Sequence, residues 1–174
     1  IREEAGRGIE GVVDGRRWRL RSGGPGVVEL EPLDGQKSSP GRILLGDRIR
    51  ADAGEAVAAL RARGLEVVLL TGDHAHVAQR IGHSAGIETV GAGLSPDEKA
   101  AWIRDRQARG QRVLFAGDGL NDGPALAAAD VGVAMGTGAA SSILVAHGIV
   151  GTPSLGPLVA GFAAGQAARK TVRW

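Results

Sequence analysis

Residues 116–136 read AGDGLNDGPALAAADVGVAMG, and this stretch decides how the chain folds. It sets Asp118, Asn121 and Asp122, with Gly117, Gly119 and Gly123 between them, where an apolar strand should end. Upstream, Arg112-Val113-Leu114-Phe115-Ala116 is a short run rich in β-formers, as expected of a strand buried on both faces. Downstream, Pro124 to Ala129 suits a short helix, with Asn121 or Asp122 as N-cap and Pro124 in its first turn. Val131 to Met135 reads as the next strand. Strand, acidic glycine-rich loop, helix, strand is a βαβ unit. Its loop lies at the carboxyl end of a strand, where open α/β sheets bind ligands. Gly, Asp and Asn are also ordinary turn formers. Two carboxylates four residues apart on a loop with three glycines point further, to a hard cation beside a phosphate.

Composition narrows the class. At 174 residues the chain can bury a real core, enough for one domain and part of a second. Hydrophobic content of 43% and charged content of 23% are those of a folded globular protein. The absence of cysteine excludes disulfides and thiolate metal sites. Aromatic residues make up only 3%, too few for a base-stacking platform. The net charge is +2, and the arginines are spread along helix faces rather than gathered in a patch, so no nucleic-acid partner is expected. No signal peptide or long apolar segment is present. The chain starts at Ile1 without Met and stops in a basic stretch, Arg169 to Trp174, so it is expected to be a piece of a longer protein.

The organisation reads as two parts. Over residues 1–36, Gly11 to Leu20 forms a hairpin around an Asp14-Gly15 turn, and Val27 to Leu30 is a further strand. The polar stretch from Asp34 to Gly41 is the best boundary. From Arg42 onward strands and helices alternate. Ile43-Leu44-Leu45 is expected as a strand ending at Asp47. A helix from Asp52 to Arg63 should turn Ala56, Ala59 and Leu60 inward and stop at Gly64. Glu66 to Leu70 reads as a buried strand, and His74 to Ala85 as a helix closed by Gly86. Ser95 to Arg109 reads as a helix with Ser95 as N-cap, Pro96 first and Glu98 completing a capping box. This alternation predicts an α/β fold, a doubly wound and mostly parallel sheet, preceded by a small β-rich part.

Two more strand ends carry chemistry. Thr71-Gly72-Asp73 puts a hydroxyl and a backbone N–H at the start of a helix, where the macrodipole favours an anion. The same residues are also ordinary caps. Lys99 sits in the first turn of its helix, against the dipole, and is one of three lysines in an arginine-rich chain. A flexible ammonium reaching a phosphate explains that choice.

Taken together, Thr71-Gly72-Asp73, Pro96-x-x-Lys99 and Gly117-Asp118-Gly119-x-Asn121-Asp122-x-Pro124-Ala125-Leu126 resemble the later motifs of the haloacid dehalogenase superfamily. Within it they look most like the phosphorylation domain of P-type ATPases, over about residues 42 to 138. Asp47-Arg48-Ile49-Arg50 and Ala129-Asp130-Val-Gly-Val-Ala-Met135-Gly136 support the match. Gly6-Arg7-Gly8 followed by a hairpin is similar to the end of the nucleotide-binding domain in the heavy-metal-transporting branch, where a GxG lets the backbone approach ATP. Residues 154–174, small and apolar and then basic, resemble the approach to the next membrane helix at the cytoplasmic face.

The resemblance implies three segments: 1–36 as the end of the nucleotide-binding domain, 37–153 as the phosphorylation domain, and 154–174 as the membrane approach. It implies the cytoplasmic portion of an integral membrane pump that uses ATP and magnesium. Its partners would be the rest of that pump (membrane helices, actuator domain, missing N-terminal part) and a transported cation, expected to be a heavy metal. Asp118 would be the chief magnesium ligand, direct or through water, with Asp122 shaping the metal site. Asn121 would bond near the phosphoryl group, Thr71 and the Gly72 amide would bind its oxygens, and Lys99 would neutralise charge. Asp73 would be a supporting cap, and Gly6 and Gly8 would face the nucleotide. The family's nucleophile lies in an Asp-Lys-Thr-Gly-Thr string that occurs nowhere in this sequence, so the chain alone is expected to be inactive. After Gly138, where the family usually continues Thr-Asp, stand Ala139-Ala140-Ser141-Ser142. Two other readings stay open. One is a stand-alone phosphatase, which needs its own nucleophilic Asp; the other is a non-catalytic module that binds phosphate and magnesium.

Overall fold

The computed structural model describes residues 1–4, 8–24, 27–35, 41–44, 49–117, 120–136 and 144–171. It divides into two compact units, Ile1–Arg48 and Ile49–Trp174.

The first unit is one antiparallel sheet of β1 (Arg2–Glu4), β2 (Gly8–Val13), β3 (Arg16–Ser22), β4 (Val27–Pro32) and β5 (Gly41–Leu44), each beside the next. The expected hairpin forms because Asp14 and Gly15 both take positive φ, 50° and 74°, which a two-residue turn between right-twisted strands requires. Its register sets Ile9 opposite Leu20 and Leu20 opposite Leu30, so one face of the sheet is apolar. The other face is a charge ladder: Glu10 meets Arg19 at 2.5 Å, and Arg21 meets Glu29 at 2.8 Å and Glu31 at 2.7 Å. The Arg19 hydrogen bond, ahead of the nearby Arg17 charge, holds the Glu10 carboxyl below the usual range.

One expectation fails here. The strand at Ile43 does not open the parallel sheet; β5 runs antiparallel to β4, with Ile43 opposite Val28. Its alternation continues the apolar face of β4, and a four-residue strand carries no signal of parallel or antiparallel pairing. Leu45 and Asp47 lie outside the described residues.

The second unit alternates α1 (Ala53–Arg61), β6 (Val68–Leu70), α2 (Ala75–Ala85), β7 (Thr89–Gly91), α3 (Pro96–Ala108) and β8 (Leu114–Gly117). A 3₁₀ turn (Leu120–Asp122), α4 (Gly123–Ala128), β9 (Val131–Met135), β10 (Gly148–Val150) and α5 (Gly156–Thr171) follow. β6 pairs with β7 and β9 lies between β8 and β10, all in parallel. This is the expected α/β architecture. α1 buries Ala53, Ala56 and Val57, while Ala59 and Leu60 are half-buried. Gly86 ends α2 in the left-handed region at φ 75°.

Small residues let α3 and α4 sit close on β8 and β9. Ile103, Ala125 and Leu126 are fully buried, with Trp102, Val113 and Phe115 around that core. A Cβ on Gly132 would lie 2.3 Å from the Leu126 carbonyl oxygen, so β9 accepts only glycine beneath α4. Asp130, at the start of β9, locks the corner. Its carboxylate accepts from Gln107 Nε2 at 3.0 Å, from the Val113 amide at 2.9 Å and from Arg112 at 2.5 Å. Those bonds, Gln107's first, hold its carboxyl far below the ordinary Asp range.

Candidate active site

β8 ends at Gly117, and the chain turns through Leu120–Asp122 into α4. Asp122 occupies the N-cap position of α4 but makes no capping bond. Its Oδ1 instead accepts from Lys99 Nζ at 2.8 Å, and both side chains are only 12% exposed. Gly117 makes room for this: a Cβ there would sit 2.6 Å from Asp122 Oδ2. Lys99 reaches the pair because α3 starts as predicted. Ser95 Oγ accepts from the Glu98 amide at 3.3 Å, and Glu98 Oε2 accepts from the Ser95 amide at 2.8 Å. The box holds the Glu98 carboxyl below the usual range, through the Ser95 backbone bond first. It also fixes the first turn, and with it the direction of Lys99.

Thr71 ends β6. Its amide donates to the Gly91 carbonyl at 2.9 Å, and its own carbonyl accepts from the Leu94 amide at 3.0 Å. Leu94 immediately precedes the capping box, so Thr71 and the first turn of α3 stand at one sheet end. The Thr71 hydroxyl donates to Asp73 Oδ2 at 2.8 Å and accepts from the Asp73 amide at 3.1 Å. Asp73 thus orients that hydroxyl; the N-cap position of α2 belongs to His74. Gly72 and Asn121 are exposed. Asp118 and Gly6 lie outside the described residues. Gly8 is described: it takes φ +102°, where a Cβ would meet the Leu20 carbonyl oxygen at 2.0 Å. It lines an apolar trough of about 450 Å³ with Ile9, Leu20 and Val28.

The structure therefore joins Lys99 to Asp122 directly, a contact the sequence reading did not contain. A signal was available, since a cation placed against a helix dipole needs a carboxylate elsewhere. Among the described residues no three imidazoles or carboxylates gather to hold a metal ion. Asp122 offers one carboxylate, its Oδ1 already bonded to Lys99 Nζ. A carboxylate suits magnesium in kind, because this ion keeps most of its waters and takes one or two carboxylates plus phosphate oxygens.

This arrangement of helices and parallel strands, in a sheet of three and a sheet of two among the described residues, is matched among known proteins. The chain belongs to the haloacid dehalogenase-like hydrolases, whose family model matches residues 15–130. Its sequence relatives are heavy-metal P-type ATPases. It is 49% identical over 98 residues, 56% of its length, to the silver exporting P-type ATPase of Salmonella typhimurium. It is 38% identical over 162 residues, 93% of its length, to the cation-transporting P-type ATPase B of Mycobacterium leprae (strain TN). It spans 12% and 21% of those two proteins. Among solved structures, the catalytic CPx-ATPase domain CopB-B matches with a TM-score of 0.72 at 28% identity, over 91% of this chain and 62% of that one. A zinc-transporting PIB-type ATPase in its E2.Pi state matches with a TM-score of 0.59 at 33% identity, over 83% and 26%.

Proposed function

We propose that the chain is a cytoplasmic part of an ATP-driven heavy-metal pump, supporting magnesium-dependent formation and hydrolysis of an aspartyl phosphate. The observation that carries this is the Lys99–Asp122 pair at the end of β8, beside the carboxyl ends of a parallel sheet. Phosphoryl transfer needs little covalent help from the protein beyond its nucleophile; it needs positioning and fixed charge. Asp122 aims the Lys99 ammonium at the space over the strand ends, where it offsets charge on the phosphoryl oxygens. The Thr71 hydroxyl, held by Asp73, and the Gly72 amide bind those oxygens, and Asn121 bonds beside them. Gly6 and Gly8 let the backbone approach the nucleotide, with the trough beside Gly8 taking its base. Magnesium, when bound, would supply positive charge that offsets the phosphate oxygens, and Asp118 and Asp122 would hold it.

The Asp-Lys-Thr-Gly-Thr string is absent from this sequence, so in this reading the aspartyl phosphate forms only with the rest of the pump present. The transported cation is cargo, bound outside this chain. Among the described residues no helix is long and apolar enough to cross a membrane. The test is phosphoenzyme formation from ATP in the chain with its upstream part restored, and magnesium titration of the chain alone. Asp118→Ala should abolish metal binding, and equal affinity in the variant rejects the assignment.

A further inference from the structure

Asp52 immediately precedes α1, at its N-cap position, yet makes no side-chain bond to that helix. An N-cap carboxylate of this kind ordinarily bonds the first-turn amides of its own helix. Here Oδ2 reaches 102 to 104 residues along the chain. It accepts from Ser154 Oγ at 2.6 Å, from the Leu155 amide at 2.6 Å and from the Gly156 amide at 3.2 Å. Arg50, two residues earlier, donates to the Pro153 carbonyl. The Arg50 carbonyl accepts from the Ala53 amide and the Asp52 carbonyl from the Ala56 amide, so the turn that carries both side chains is rigidly joined to α1. α5 could start on Ser154 alone, whose hydroxyl already accepts from the Gly156 amide at 3.1 Å. Instead its first turn is gripped by the stretch at which the second unit begins.

We infer that Arg50 and Asp52 form a clasp that ties the start of α1 to the start of α5, making Asp52 a positioning residue for the coupling of phosphoryl transfer to transport. The role rests on the pump reading, in which α5 leads toward the membrane. Of its 16 residues most are small or apolar, and it is about 24 Å long, so a tilt at its held end is carried along its length. The three donors, Ser154's hydroxyl first, hold the Asp52 carboxyl below its usual range, so the clasp is ionised at neutral pH.

Two measurements test the inference and separate it from the pump reading. In the 174-residue chain, Asp52→Ala should speed hydrogen exchange of the Leu155 and Gly156 amides at least about tenfold while the β9 amides keep their rates; Asp52→Asn and Ser154→Ala should do so more weakly. Unchanged exchange at Leu155 and Gly156 overturns the clasp. In the pump with its other parts restored, Asp52→Ala should form phosphoenzyme at the wild-type level yet transport several-fold less cation per ATP. A parallel loss of phosphoenzyme and transport shows a merely structural residue and overturns the coupling role. A wild-type pump that forms no phosphoenzyme removes the pump reading and the coupling role with it, and the exchange result still decides the clasp.

Discussion

Substituting Lys99 by methionine would leave the Asp122 carboxylate at 12% exposure with its ammonium partner removed. Removing one partner of a fully buried pair costs about 3–5 kcal/mol, because the remaining charge stays desolvated. Water reaches one side of this site, so about 2–3 kcal/mol is expected for Lys99→Met, and a similar cost for Asp122→Asn. The double variant should lie within about 1 kcal/mol of wild type, since both desolvation penalties vanish together. Against a typical total of about 5–15 kcal/mol, the single-site loss is readily measured. Urea unfolding would follow Trp102, which packs against the α3–α4 core, in a background where Trp18 and Trp174 are phenylalanine. If Lys99→Met unfolds within about 0.5 kcal/mol of wild type, the pair behaves as a surface contact and the preorganised ammonium is refuted.

Other expectations follow from single contacts. The isolated chain should not turn over ATP; with the upstream part restored, Asp118→Asn and Lys99→Ala should each slow phosphoenzyme formation by several kcal/mol, about the worth of an electrostatic catalytic group, while Lys37→Ala is neutral. Robust turnover by the 174 residues alone would favour a phosphatase with Asp47 as nucleophile. Gly132→Ala forces a Cβ onto the Leu126 carbonyl and should cost on the order of 3 kcal/mol in thermal or urea unfolding. Gly161→Ala, in α5 with nothing within 4 Å, should instead add about 0.5–1 kcal/mol. Asp130 has a depressed folded pKa, so its contribution is full above the unfolded value near about 4 and falls away as pH drops below it. Asp130→Asn should flatten the fall of the urea midpoint between pH 5 and pH 2, to about the extent that this carboxylate drives it.

The parts of the fold that were legible are those whose signals are local. The capping box at Ser95 and Glu98, the left-handed stop at Gly86 and the Asp14-Gly15 turn each depend on residues within a few positions, and each formed. Three-residue strands such as β7 and β10 are too short to show a period, and neither is visible in the sequence. At two helix starts a distant partner has taken a carboxylate from a local capping role. Asp122 and Asp52 both stand where a cap belongs, and both give their carboxylates to groups elsewhere, at Lys99 and at the start of α5. That Thr71 and Asp122 lie just beyond strand ends could be read from the sequence; which two side chains would touch could not, because the contact joins residues 23 apart across two helices.

That reach of Asp52 has a kinetic side. In the first unit every strand pairs with its sequence neighbour, so its contacts are local and should close early. The grip of Asp52 on Gly156 closes a loop of 104 residues, for which chain entropy alone asks about 4 kcal/mol. That cost falls sharply once β6 to β10 have already shortened the path between the two ends. α5 is therefore expected to dock last among the described elements of the second unit. Until it arrives, the Asp52 carboxylate faces water and α1 has neither its own cap nor its tether.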